Sequence, residues 1–333
     1  MKPTELRTVS VIIPAYTLAR WELLSDAVAR LQSQTRLPDE IILCIDHNPE
    51  LYDLCLREPV FCHGPVPVRI LHDESHRSES ALDLHKRAHG TRRRFGAGSA
   101  RNAAARTAAG DLLFFQDDDA AADPNWIATI VDIYDDPSIV AVGGAPLPRY
   151  ETARPRWFPF EFDWVFGCAY RGLPTFTAPA RHLIGANLTV RHSAFDAVGG
   201  FHSVDFDDLD LCLRLAAAYP GHYLMYEPRA VVYHHVPADR VSWQYFWRRP
   251  YYVNKAKVEA FTSMGGAANL AAELHFVTHA ITRGTLLELK DVLRGDPYAF
   301  ARMGAMLLGI GLAGVGHVAG RIEQYWRVAP SYN

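Results

Sequence analysis

Between residues 8 and 119, short apolar runs alternate with amphipathic or alanine-rich stretches, and few folds accept that order. "TVSVII" at 8–13, closed by Pro14, predicts a buried strand running into a loop. Leu23, Leu24, Ala27, Val28 and Leu31 recur at helical spacing, so a helix over about Leu23 to Gln34 follows. "DEIILCID" at 39–46 and "VRILHD" at 68–73 predict two more strands. "SARNAAARTAA" predicts a helix capped by Ser99 and closed by Gly110, and "DLLFFQDDD" predicts a fourth strand that ends in three aspartates. Strand, helix, strand, loop, strand, helix, strand is the pattern of an α/β layer with a mostly parallel sheet. Such sheets bind ligands beyond the carboxyl ends of their strands, where Asp46 and Asp117 to Asp119 fall.

Three carboxylates in a row repel one another, so ionising all of them calls for a positive partner. A hard divalent cation such as Mg²⁺ or Mn²⁺ is one such partner, and Mg²⁺ usually completes its shell with water and substrate phosphates. The cluster therefore points to a phosphorylated ligand, with an acidic loop or helix cap as the plain alternative. A second acid group, Asp207, Asp208 and Asp210 in "FDDLDLCLR", stands at the mouth of a helix running to about Tyr219. Asp207 and Asp210 share a helix face and Asp208 points elsewhere. A carboxylate so placed can act as a general base, whereas N-terminal capping is its ordinary use. His234 and His235 end "HYLMYEPRAVVYHHV", which reads as two short strands around Glu227-Pro228. Either imidazole can join the aspartates' cation or simply sit at the surface.

"PSIVAVGGAPL" predicts a further strand, and "RHLIGANLTVRHSAFDAVGGF" a strand, a turn and a short helix ending at Gly199-Gly200. No repeat or low-complexity linker separates the halves 1–125 and 126–260, so they are expected to share one sheet. From 261 the texture becomes helical. The apolar run at 303–320 is short and glycine-rich for a membrane span of ~20 residues, and suits a membrane-surface segment or a helix for a partner, a second copy included.

A formal net charge of −3 argues against a general nucleic-acid binder. Two basic stretches, at 76–106 and 240–257, remain available to a phosphate or an anionic surface. The five cysteines are scattered without CxxC spacing, so neither a disulfide framework nor a zinc knuckle is indicated, and a reducing compartment fits. The N-terminal residues show no secretory signal pattern, which makes a cytoplasmic location the expectation.

The segments "VSVIIPAY", "LQSQTRLPDEIILCID", "GSARNAAARTAAGDLLFFQDDDAAADPNWI", "GANLTVRHSAFDAVGGF", "DDLDLCLRL" and "VVYHHVPADRVSWQYFWRR" occur in the order and spacing of the family 2 glycosyltransferases. The resemblance covers roughly residues 8–260 and is specific as an ordered set. "FPFEFDWVFGCAYRGLP" resembles prokaryotic members acting on polyprenyl-linked acceptors, including glucuronosyltransferases.

The resemblance implies a GT-A fold, a Rossmann-like nucleotide-binding mixed sheet flanked by helices, here with a helical, partly apolar C-terminal extension. It implies an inverting enzyme using a nucleotide-sugar donor, usually a UDP-sugar, and a divalent metal. Pro14, Ala15 and Tyr16 would line the nucleotide pocket, and Asp46 would accept a hydrogen bond from the base. Arg101 and Asn102 would approach the nucleotide or its diphosphate. Asp118 would face the ribose, while Asp119 and His234 would serve the metal. Asp208 would be the catalytic base toward a hydroxyl of a glycan, polyprenyl-linked saccharide or small metabolite. Arg240 or Arg248 would help hold the leaving phosphate, and peripheral contact with the inner face of a membrane is implied.

Three departures from the family pattern stand out: Thr17 replaces the usual Asn, Asp207 replaces the usual Glu, and a long basic stretch precedes "SARN". That stretch reads as a lid over the diphosphate or as a plain loop. Two rival readings remain, a nucleotidyltransferase and a noncatalytic carbohydrate- or lipid-binding scaffold of the same fold. The first wants a Gly-rich phosphate loop with a lysine, which "IIPAYTLARW" lacks. The second is weakened by the presence of both Asp119 and Asp208.

Overall fold

The computed structural model describes residues 7–73, 97–202, 207–263 and 276–328. The strand β1 (Val9–Ala15) is buried along its whole length, as a strand covered on both faces must be. Helix α1 (Trp21–Leu31) buries Leu24, Ala27, Val28 and Leu31, each fully buried leucine or valine being worth ~1.5–3 kcal/mol. Strands β2 (Glu40–Asp46) and β3 (Val68–Asp73) follow, with helix α2 (Pro49–Cys55) between them. Helix α3 (Ala97–Ala105) leads to β4 (Leu112–Gln116), and β1 lies parallel to both β2 and β4.

The remaining strands are β5 (Ala120–Ala122), β6 (Ile139–Tyr150), the two-residue β7 (Ala178–Pro179), β8 (Asn187–Arg191) and β9 (Tyr223–Val236). They complete one nine-stranded sheet in the order β3-β2-β1-β4-β8-β6-β9-β5, with β7 on β9. Strand β8 is antiparallel to β4 and to β6, so the sheet is mixed, as the GT-A expectation requires. Alternate residues feed two cores. Ile13, Leu43 and Phe114 pack on the α1 side, whereas Ile12, Cys44 and Phe115 meet the alanines of α3 and the leucines of α4 (Asp207–Ala218).

Three expectations changed in detail. The strand through the aspartates stops at Gln116. Asp117 to Asp119 form a turn in which Asp117 O accepts from Ala120 N–H and Gln116 Nε2 donates to Ala120 O. "HYLMYEPRAVVYHHV" is one strand of 14 residues instead of two. The fixed φ of Pro228 suits extended backbone and removes only one donor. The apolar run at 303–320 lies inside a longer helix of 31 residues, Tyr298–Val328.

The chain divides into two compact units, residues 1–147 with 175–234, and 148–174 with 235–333. The expected boundary near 260 falls inside the helix Trp243–Ser263. The second unit has its own core, in which Phe158, Phe162 and Phe166 pack with Phe246, Ala305 and Met306. The helix Tyr298–Val328 is long and apolar enough to cross a membrane by length and composition. Some of its glycines nevertheless serve close packing within the unit, because a Cβ on Gly309 would meet the Phe162 ring at 2.3 Å and one on Gly316 the Tyr251 carbonyl at 2.2 Å.

Candidate active site

Everything in this site belongs to the first unit. The turn after β4 splays the three aspartates in different directions, so they have different partners. Asp117, Asp119 and His234 converge, with one ligand atom from each lying within 4.8 Å of the others. His234 is delivered by β9, where it pairs with Ala120, and its Nε2 stands 3.4 Å from Asp119 Oδ1 and 3.9 Å from Asp117 Oδ2. Asp119 Oδ1 is buried and accepts no hydrogen bond. Two carboxylates and an imidazole make a hard-to-borderline donor set that fits Mn²⁺ or Mg²⁺. Asp119 and His234 thus come together as the sequence predicted, and Asp117 joins them.

Asp118 turns the other way. Its Oδ1 accepts from Arg20 Nη1 at 2.6 Å, and the same guanidinium nitrogen lies 3.0 Å from Asp119 Oδ2. Burial pushes Asp118 up to about 6 against the pull of Arg20, and its Oδ2 is buried without a hydrogen-bond partner. Arg20 also sits 5.7 Å from the centroid of the Tyr16 ring. Sequence reasoning missed this residue, since an arginine in "TLARW" carries no signal of an aspartate 98 positions away.

Pro14 and Ala15 are buried at the end of β1, and Tyr16 beyond them is 57% exposed. Thr17 caps the short turn that holds Arg20, its Oγ1 accepting from Ala19 N–H at 3.2 Å. Asp46 ends β2 and contacts His47 Nδ1; His47 has a φ of 51°, a left-handed conformation uncommon outside glycine. The first three strands therefore present Tyr16, Asp46 and Asp73 along one sheet edge.

Arg101 joins the two acid clusters. Its buried guanidinium donates from Nη2 to Asp117 Oδ1 at 2.5 Å and from Nη1 to Asp207 Oδ2 at 2.8 Å. Asp207, despite being shorter than glutamate, thus anchors the arginine. Asn102 spends its amide on the backbone of Phe201, donating to its O at 2.7 Å and accepting from its N–H at 2.9 Å. That clamp lies against Gly200, whose φ of +74° favours glycine and where a Cβ would meet Asn102 Oδ1 at 2.5 Å.

Asp208 is held by three donors. Its Oδ2 accepts from Gly185 N–H at 2.9 Å and faces His182 Nε2 at 3.3 Å, while Oδ1 accepts from Leu209 N–H at 2.7 Å. Burial works to raise this carboxyl, but His182 and the backbone donors outweigh it and hold it down to about 2. Its neighbour Asp207 is pushed by burial up to about 6, against Arg101. Asp210 is tied to Arg214, whose guanidinium also donates to Val198 O and Gly200 O. Of the three acids, only Asp208 combines an ionised state with no arginine partner among the described residues. His182, also missed in the sequence, lies three residues before "GAN" with nothing to mark it.

Arg240 and Arg248 belong to the second unit. The proposed lid at 76–98 lies outside the described residues except for its last two.

The chain is similar to known proteins in sequence and in fold. Residues 66–199 match the sequence pattern of the Glycosyl transferase family 2. Over 261 residues the chain is 28% identical to the glucosyl-dolichyl phosphate glucuronosyltransferase of Haloferax volcanii, spanning 75% of this chain and 76% of the relative. Among solved structures it resembles the mannosyltransferase PcManGT from Pyrobaculum calidifontis in complex with GDP-Man and Mn²⁺. That likeness has a TM-score of 0.58 and 19% identity, over 98% of this chain and 89% of the other. S. aureus TarS 1-349 in complex with UDP-GlcNAc is similar at a TM-score of 0.53 and 13% identity, over 98% of this chain and 93% of that one.

Proposed function

We propose that the chain is a family 2 glycosyltransferase with the GT-A fold, and that it transfers a hexose or hexuronic acid, with inversion, from a UDP-sugar to an acceptor hydroxyl. The observation that carries this reading is the Arg101 bridge, which fixes Asp117 of the metal-ligating group relative to Asp207 and hence to Asp208 next to it. One side of the site is thereby suited to the diphosphate and the other to the incoming hydroxyl.

Asp117, Asp119 and His234 hold a divalent cation, Mg²⁺ or Mn²⁺, whose chemistry is to offset charge growing on the leaving diphosphate. Tyr16 offers its ring face to the nucleobase, and Asp46 accepts a hydrogen bond from the base. Asp118 offers its unpartnered Oδ2 to a ribose hydroxyl, while Arg20 supplies fixed positive charge between Asp118 and Asp119. Arg101 and Asn102 act as positioning residues, the first through Asp117 and Asp207, the second through the Gly200-Phe201 backbone. The acceptor hydroxyl attacks the anomeric carbon as Asp208 takes its proton, and the bond from that carbon to the diphosphate oxygen breaks.

The Haloferax relative supports a polyprenyl-phosphate-linked saccharide as acceptor and a glucuronic acid as the transferred sugar. Such an acceptor, used with a nucleotide-sugar donor, fits an enzyme working at the cytoplasmic face of a membrane. A panel of nucleotide sugars, with Mn²⁺ or with chelator, tests the reading by mass spectrometry. One donor is expected to release its nucleoside diphosphate only when metal is present. No turnover of any donor by the folded chain would sink the proposal, and chelator-resistant turnover would remove its metal.

A further inference from the structure

We propose that the helix Thr282–Leu293 in the second unit is a docking surface for an anionic lipid bilayer, lying flat on the headgroups. Leu286, Leu289 and Leu293 are exposed to 57%, 46% and 88%, which is unusual for three leucines on one short helix. At ~100° per residue they fall within an arc of about 60°. Arg283, Lys290 and Arg294 are also exposed, and the same arithmetic puts them together on the adjoining arc. A leucine stripe flanked by a basic stripe is the pattern of a helix held at the membrane interface.

The acids of this segment offset only part of that charge, at Arg294, and no ion pair to Arg283 or Lys290 is found among the described residues. Glu288 is buried, accepting from Arg302 Nε at 2.6 Å, and Asp291 pairs with Arg294 at 3.0 Å. The next helix adds apolar surface: Phe300 and Leu307 are exposed, and every exposed residue from Phe300 to Val318 is apolar or glycine. Charge complementarity selects the occupant. A symmetric contact with a second copy would set each basic stripe against a like stripe, or leave it unmatched. Anionic headgroups match the bases while the leucines enter the acyl boundary.

This inference deepens the lipid-linked acceptor reading, yet it is tested separately, because vesicle binding needs no donor and transfer to a soluble acceptor needs no vesicle. The full chain is sedimented with phosphatidylcholine vesicles with and without phosphatidylglycerol, at low and physiological salt. Binding is expected only with phosphatidylglycerol and should weaken with salt. The double variant Arg283→Glu and Lys290→Glu should bind at least ~25-fold more weakly, about fivefold for each base lost. Leu293→Ser, at a site too exposed to disturb folding, should weaken binding about tenfold. Both variants should keep transfer to a soluble acceptor. Equal binding to neutral vesicles, no binding to either kind, or self-association abolished by Leu293→Ser would each overturn the proposal, the last in favour of a second copy.

Discussion

Asp208→Asn should bind the nucleotide-sugar donor as the native chain does and lose transfer by about 10²- to 10⁴-fold, the usual worth of a general base. The loss is expected to fall on kcat, because Asp208 has no assigned contact with the donor. The substitution is less innocent than its shape suggests. Asp208 accepts from Gly185 N–H on one oxygen and from Leu209 N–H on the other, so an asparagine amide must turn its NH₂ toward one of those donors. That mismatch costs about 1–3 kcal/mol of stability, and the variant's melting temperature should be measured beside its activity. Transfer retained at native levels would require another base. Asp207 and Asp210 are the nearest in sequence, but each is already held by an arginine, Arg101 and Arg214.

The second large effect is expected at Asp119. Asp119→Ala should abolish the gain in nucleotide affinity that Mn²⁺ provides and lower transfer by more than about 10²-fold, since even outer partners of a metal ligand are worth 10- to 100-fold. The side chain is nearly inaccessible, one oxygen accepts no hydrogen bond, and the other faces Arg20. Removing it leaves Arg20 paired with Asp118 alone, so fold is conserved while one ligand and one charge are lost. Calorimetry with the nucleoside diphosphate, with and without Mn²⁺, reads the effect directly. Binding in Mn²⁺ unchanged from the native chain would refute the role of Asp119.

These expectations show which parts of the molecule the sequence made legible. The strands β1 to β4 could be read because a parallel strand buried on both faces is a continuous apolar run, and α1 because its buried residues recur at helical spacing. Asp119, His234 and Asp208 were found through an ordered set of motifs. Arg20 and His182 were not, because each acts through a partner distant in sequence, 98 residues away for Arg20 and Asp118. Asp117 was visible but looked redundant until the turn at Gln116 to Ala120 separated the three carboxylates. Arg101 and Asn102 were singled out for an approach to the nucleotide, but their side chains bond to Asp117, Asp207 and Phe201, contacts that no local pattern encodes. The C-terminal apolar run was read by composition alone. Composition cannot say that Gly309 and Gly316 face a neighbouring helix or aromatic ring while Leu293, outside the run, meets solvent.

The central claim is a single displacement with Asp208 as base, and the stereochemistry of the product tests it most directly. With an α-linked nucleotide sugar as donor, proton NMR of the isolated product should show a β-linked sugar at the new bond, the coupling at the anomeric proton reporting the change. An α-linked product would mean retention, and would contradict a mechanism in which Asp208 does no more than accept the proton of the attacking hydroxyl.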